Sequence, residues 1–281
     1  MKREQEIFKK GSTTYYFSSK FFPKKVREDV FRLYSFVRVA DDYVDQTPAD
    51  KKGYKDLLQQ YQYVLTQPTV PRIKTSDSDN KRAAKNMVAV SKRHGFNPQW
   101  TESFLDAMEA DLGKQHYRSL NDSLKYVHGS AEVIGLMMSR IMGLPEESVH
   151  TAKMQGRAMQ WINFIRDIDE DNQLGRCYFP RQDLQKFGLK DLSENSAQKD
   201  PEAFRDFMHL QIKRYDEWQS IAREGFKFIP KRQLVALKTA IDMYDWTARQ
   251  IAANPMIVFE KKVKPTKQKV LKAAARNTIN G

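Results

Sequence analysis

Between residues 160 and 171 the chain carries a pattern that few folds accommodate. Gln160, Asn163, Asp167 and Asp171 follow one another at spacings of three, four and four, so on a helix they form one polar stripe. Trp161, Ile162, Phe164, Ile165 and Ile168 fill the other faces with apolar bulk, and Arg166 stands beside the stripe. A helix of this kind has little surface to offer to water. It belongs inside a bundle, with its stripe turned to an internal cavity.

The rest of the chain agrees with an all-α fold. Apolar residues recur at helical spacing almost throughout, and sustained period-two alternation is hard to find. One helix starts after Pro23, carries Val26, Val30, Leu33, Val37 and Ala40 on one face, and runs to about Gln46. Further helices are expected at 51–66, 80–94, 98–112, 121–143, 147–174, 202–227, 231–253 and 266–276. Residues 67–78 and 175–201, rich in Pro, Gly, Ser and charge, read as loops. No composition shift or repeat of 20–50 residues divides the 281 residues, so one domain over 1–281 is expected, ending in a basic tail at about 261–281.

A second acid cluster lies on the helix after Pro23. Asp41 and Asp45 are four residues apart and share a face about 6 Å apart along the axis, with Arg38 and Tyr34 on the same stripe. Stacked carboxylates repel by a few tenths of a kcal/mol, so an isolated helix gains nothing from them. A divalent cation reverses that sign. Mg²⁺ typically takes one or two carboxylates and completes its shell with water and phosphate oxygens. A single DxxxD is most often a solvated face. Two such clusters, each among apolar neighbours and each with an arginine within a turn, point instead to buried charge that needs a metal and a diphosphate as partners.

The motifs resemble the squalene/phytoene synthase family of head-to-head prenyl-diphosphate synthases, over about Gly11 to Tyr244. The likeness rests on Ser12-Thr13-Thr14-Tyr15-Tyr16-Phe17 with Phe22-Pro23, and on Leu33 to Arg38 leading into Asp41–Asp45. It continues in Gly129 to Met137, and in Ala158 to Asp171 followed by Gly175-Arg176-Cys177-Tyr178-Phe179-Pro180. The resemblance implies an isoprenoid-synthase helical bundle around a central cavity. It implies Mg²⁺ (or Mn²⁺) held by Asp41 and Asp45 on one wall and by Asn163, Asp167 and Asp171 on the other. Arg38, Arg166, Gln160, Tyr34 and the Gly11-Ser12-Thr13-Thr14 turn are then expected to hold diphosphate oxygens, with Tyr244 as a further contact. Met137, Met138, Phe164, Ile165 and Trp161 are candidates to line the cavity. Three positions depart from the pattern: Gly11 stands where many members have His, Glu132 replaces a small residue, and His128 stands at a frequent Tyr. The implied reaction is condensation of two C20 diphosphates to phytoene through a cyclopropylcarbinyl diphosphate. Squalene or dehydrosqualene synthesis from C15 is the alternative, and NADPH is a cofactor only if the squalene type holds.

Other classes fit less well. The literal DDxxD at Asp41–Asp45 also marks chain-elongating prenyltransferases, but the second cluster followed by Tyr-Phe-Pro is not their pattern. A non-catalytic prenyl-lipid-binding relative is expected to lose acidic ligands, and here all are present. The net charge of +13 invites an anionic partner, and the tail from Lys261 supplies seven cations with no acid. No zinc-finger or RNP pattern supports nucleic acid, and the five His show no zinc spacing. The tail therefore reads as a solvated segment or a peripheral membrane contact. Val133 to Leu144 contains Arg140 and falls short of the ~20 residues that span a bilayer. With one Cys, Cys177, and no secretory h-region at the start, a cytoplasmic location is expected.

Overall fold

The structure, a computed structural model, describes residues 2–11, 13–113 and 116–279, with the backbone alone at 13 and 14. Two short helices that the periodicity left unassigned open the chain, α1 (Lys2–Gly11) and α2 (Thr13–Ser19). The first acid stripe lies on α3 (Lys24–Val44), which Pro23 starts and which ends with Asp45 as its C-cap. Helix α4 (Lys51–Leu65) is capped by Asp50, whose carboxylate accepts from the Gly53 N–H at 2.8 Å. Helix α5 (Asp79–His94) starts on Ser78 and stops at Gly95, where φ is +61°, a value that suits a residue without Cβ. Asn97 and Pro98 start α6 (Pro98–Ala110) in the same local way.

The expected helix over 121–143 is broken. A capping box at Ser119 and Asp122 starts α7 (Leu120–Val127), a π-helical turn follows at His128–Glu132, and α8 (Val133–Ile141) completes the segment. The bulge sits where helices nearly touch. A Cβ on Gly129 would stand 2.3 Å from the Ser103 carbonyl, and one on Gly135 would stand 2.2 Å from that of Ala152.

The long acid helix is also interrupted. Helix α9 (Val149–Arg166) ends at Asp167, whose φ of −102° and ψ of 18° leave the helical region, and α10 (Ile168–Gln173) restarts beyond it. The expected loop 175–201 contains α11 (Arg181–Lys186) and α12 (Glu194–Lys199). It also holds β2 (Cys177–Pro180), which pairs in parallel with β1 (His116–Tyr117), the sole sheet among the described residues. Helix α13 (Pro201–Arg223), capped by Asp200, leads through a 3₁₀ turn at Glu224–Phe228 into α14 (Lys231–Ala253). The chain closes with α15 (Ile257–Glu260) and α16 (Lys267–Ile279).

Helix α9 is the centre of the bundle, packed by α8, α13, α14 and the π-helical turn. Trp161, Ile162 and Ile165 are wholly buried on it, so its apolar faces do enter the interior. The basic tail is not a solvated segment. Val263, Val270, Ala273 and Ala274 are buried, and α16 packs on α14 and α2. No described helix is long and apolar enough to cross a membrane.

Candidate active site

The polar ends of α3 and α9 open onto the same space as the middle of α14. Asp41 and Asp45 at the end of α3, Asn163 and Asp167 at the end of α9, and Tyr244 on α14 all line one cavity of about 630 Å³. Asp171, carried by α10 beyond the break at Asp167, joins them. The structure therefore brings the two expected acid stripes together. Gly11, Tyr34, Arg38, Gln160 and Arg166 line the same space. Ser12 and the side chains of Thr13 and Thr14 lie outside the described residues.

The acids divide into neutralised and unneutralised groups. Arg166 forks onto Asp167 with bonds of 2.7 and 2.6 Å, and Lys262 adds a contact of 2.9 Å. Burial alone would raise the Asp167 carboxyl, but these cations hold it below the usual carboxylate range. Arg38 turns to Asp42 at 2.8 and 2.5 Å, and Asp45 accepts from Arg176 at 2.8 Å. Asp41 and Asp171 form no ion pair among the described residues. Burial, with Asp45 nearby, pushes Asp41 up to about 8. Burial, with Asp167 next to it, drives Asp171 well above the ordinary value.

Those two carboxyls, and the buried Asn163 Oδ1 that has no hydrogen-bond partner, are the groups a bound cation would satisfy. Among the described residues no trio of His, Cys, Asp or Glu is close enough to hold a metal alone. The donor set suits a hard ion that takes one or two carboxylates and fills its other positions from water and phosphate.

Basic and phenolic groups ring the mouth. Burial raises the Tyr15 and Tyr34 phenols, so both stay protonated donors at neutral pH. Tyr15 stands 5.9 Å, ring to ring, from Tyr244. Gly11 closes on this group, since a Cβ there would lie 2.6 Å from the Tyr34 hydroxyl and 2.7 Å from Arg38 Cδ. A His at this position would require both side chains to move.

Four contributors escaped the sequence reading. Asp111, just past α6, is buried and accepts from Tyr126 at 2.5 Å and Tyr178 at 2.9 Å. Burial outweighs those bonds and Arg176, and raises it to about 6. Arg176 donates to the Val44 and Asp111 carbonyls at 2.6 and 3.0 Å as well as to Asp45, tying the end of α3 to the end of α6. Lys262 and Lys264, which looked like part of a solvated tail, lie at the acid end. Burial, with Lys262 and Arg166 alongside, lowers the Lys264 ammonium. The apolar spacing of Val270, Ala273 and Ala274 was the available signal that this segment packs.

The apolar walls differ from expectation in part. Met138 and Phe164 line the cavity, whereas Met137, Trp161 and Ile165 face the core. Glu132 also turns away. It is buried against Arg157 at 2.6 Å, Lys153 at 3.5 Å and His128 at 2.9 Å, so both this departure and His128 serve an ion cluster behind the wall.

An all-helical bundle whose facing acid stripes close the mouth of an apolar cavity defines an isoprenoid-synthase type of protein. The squalene/phytoene synthase family model matches residues 8–269. The chain belongs to that family, whose members are prenyltransferases acting on prenyl diphosphates and generally using a divalent metal. It is 30% identical to the 15-cis-phytoene synthase of Enterobacter agglomerans over 83% of this chain and 80% of the relative. It is 27% identical to that of a Paracoccus species, over 85% and 78%. Among solved structures, a dehydrosqualene synthase superposes with a TM-score of 0.83, covering 99% of this chain and 95% of the other at 22% identity, and shares the fold.

Proposed function

We infer that this protein joins two C20 prenyl diphosphates head to head, with Mg²⁺, to form phytoene. The observation that carries this reading is the depth of the cavity below the acids. From Asn163 back to Ser148, the residue before α9, the cavity follows the chain for fifteen residues, about 22 Å. With single bonds near 1.5 Å, an extended C20 chain measures about 19 Å from its first carbon and a C15 chain about 14 Å. The 15-cis-phytoene synthases among the relatives support the same choice.

Asp41 and Asp45 on one wall, and Asn163, Asp167 and Asp171 on the other, would hold the Mg²⁺ ions. When bound, the metal neutralises a departing diphosphate and makes it a competent leaving group. Arg38, Arg166, Tyr34, Gln160 and Tyr244 orient the diphosphate oxygens, and the two arginines share the charge that develops there. Ionisation leaves an allylic carbocation that water would quench. Ile134, Met138, Met159 and Phe164 present apolar side chains to the cavity, which favours attack by the second substrate's double bond over capture by water. Passage through a cyclopropylcarbinyl diphosphate, a second ionisation, rearrangement and proton loss then needs no NADPH.

The location that fits is the cytoplasm, at a bilayer face where long prenyl chains partition. On α16, Lys267, Leu271 and Lys272 are exposed together and suit anionic lipid. Asp45→Ala and Asp171→Ala test the assignment. Each should abolish turnover and keep the helical circular dichroism of the parent, and near-normal activity in either refutes the metal sites.

A further inference from the structure

Between α15 and α16 the chain passes the acid end of the cavity as a strap, residues 261–266. Val263 is buried and anchors it, while Lys264 and Pro265 line the cavity. Among the described residues no backbone N–H from Lys262 to Thr266 donates to another backbone group, so side chains hold the strap in place. Lys262 makes the ionic hold. Its Nζ stands 2.9 Å from Asp167 Oδ1 and 2.9 Å from Glu170 Oε1, on either side of the restart between α9 and α10. Arg166 takes Asp167 as well, from Nε to Oδ1 at 2.7 Å and from Nη2 to Oδ2 at 2.6 Å. A carboxylate oxygen offers about two lone-pair positions, so Asp167 Oδ1 is already filled. Asp167 and Glu170 thus face two cations, Arg166 and Lys262, and their charges balance.

We propose that Lys262 is a built-in counter-ion of the second acid wall, which keeps Asp167 closed to a divalent cation until diphosphate arrives with it. This rests on the reading of Asp167 as a metal ligand. A divalent cation that comes alone must displace the ammonium from Asp167 Oδ1 and meets its repulsion at close range. A cation that comes with diphosphate brings negative charge of its own, and the repulsion is offset. Lys262 is able to give way without unfolding the strap. Its side chain is 32% exposed, so the ammonium turns to water while Val263 stays in the core. The strap therefore couples loading of the metal to arrival of the substrate.

Lys262→Gln removes the charge and leaves Val263 in place. Mn²⁺ binding to parent and variant is read by electron paramagnetic resonance, first alone and then with inorganic diphosphate, and thermal melts confirm folding. Without diphosphate the variant should bind Mn²⁺ roughly three- to thirtyfold more tightly than the parent, the scale of one partly exposed charge contact removed beside a dication. With diphosphate that gain should vanish. Lys262→Arg, which keeps the charge, and Lys261→Gln, which removes an exposed neighbouring charge, should both match the parent. The direction separates this role from a structural one, because damage to the wall loosens the metal. Equal or weaker Mn²⁺ binding by folded Lys262→Gln without diphosphate overturns the proposal, and so does a gain that persists with diphosphate or that Lys261→Gln shares. If Lys262→Gln does not fold, Lys262→Met, which keeps the aliphatic stem, decides on the same criteria. A parent that binds Mn²⁺ with diphosphate while the variant shows no gain refutes the counter-ion alone. Failure of both to bind Mn²⁺ even with diphosphate refutes the metal sites and this proposal with them.

Discussion

Asp41 sits at the cavity mouth, where burial first and Asp45 second work against its charge and push its carboxyl up to about 8. In the unfolded chain it titrates near 3.8. Between those values the folded state binds more protons than the unfolded one. Stability of the metal-free protein should therefore fall as pH rises from about 4 and level off above about 8. At pH 7 the interval from the unfolded value is about three pH units, which at about 1.4 kcal/mol per unit sets a ceiling near 4 kcal/mol. Part of that is shared with Asp45, so Asp41→Asn, which mimics the protonated form, should stabilise the metal-free protein by about 1–3 kcal/mol. For a chain of this size that corresponds to a rise in Tm of roughly 3–10 °C. The assay is urea and thermal unfolding in EDTA at pH 7, with the parent and variant scanned from pH 4 to 9. The variant should also show a shallower fall with pH and lose turnover, because a site built to take a cation holds its carboxylates at a cost to stability. A variant less stable than the parent, or a pH profile identical to it, refutes the reasoning.

Removing residues 260–281 should unfold or strongly destabilise the protein, because Val263, Val270, Ala273 and Ala274 leave the core with it. Thermal melts check that, while Lys267→Gln with Lys272→Gln, which leaves the packing intact, should weaken binding to anionic vesicles in a salt-dependent way. Asn163→Ala should lower Mn²⁺ affinity, read by electron paramagnetic resonance in the presence of inorganic diphosphate, by roughly tenfold or more with little loss of stability, since the side-chain oxygen has no protein partner to lose. Arg176→Gln leaves the Val44 and Asp111 carbonyls and Asp45 without their shared donor. It should destabilise by about 3 kcal/mol, measurable in urea.

The sequence made some elements legible because their causes are local. Helix α14 occupies the expected 231–253, and caps such as Asp50, Ser78 and Asp200 stand beside the helices they start. The two acid stripes were readable because helical spacing alone places their members on one face. The break at Asp167 was not, since Arg166 and Asp167 are ordinary helix residues in isolation and the fork between them is completed by Lys262, 95 positions away. Asp111 was hidden for the same reason. Its partner Tyr178 lies 67 residues along the chain, and only the folded bundle brings them together. The tail misled because seven cations dominate its composition while four small apolar side chains decide its packing. Ile165 and Trp161 show the limit of a periodicity argument: it places them on apolar faces, but the neighbouring helices decide which face meets the cavity.

Mass spectrometry of the hydrocarbon formed from C20 diphosphate and Mg²⁺, with and without NADPH, tests the central claim most directly. The account predicts a C40 product whose amount does not depend on the reductant. A product formed only from C15 diphosphate with NADPH would contradict it, and so would the absence of any hydrocarbon.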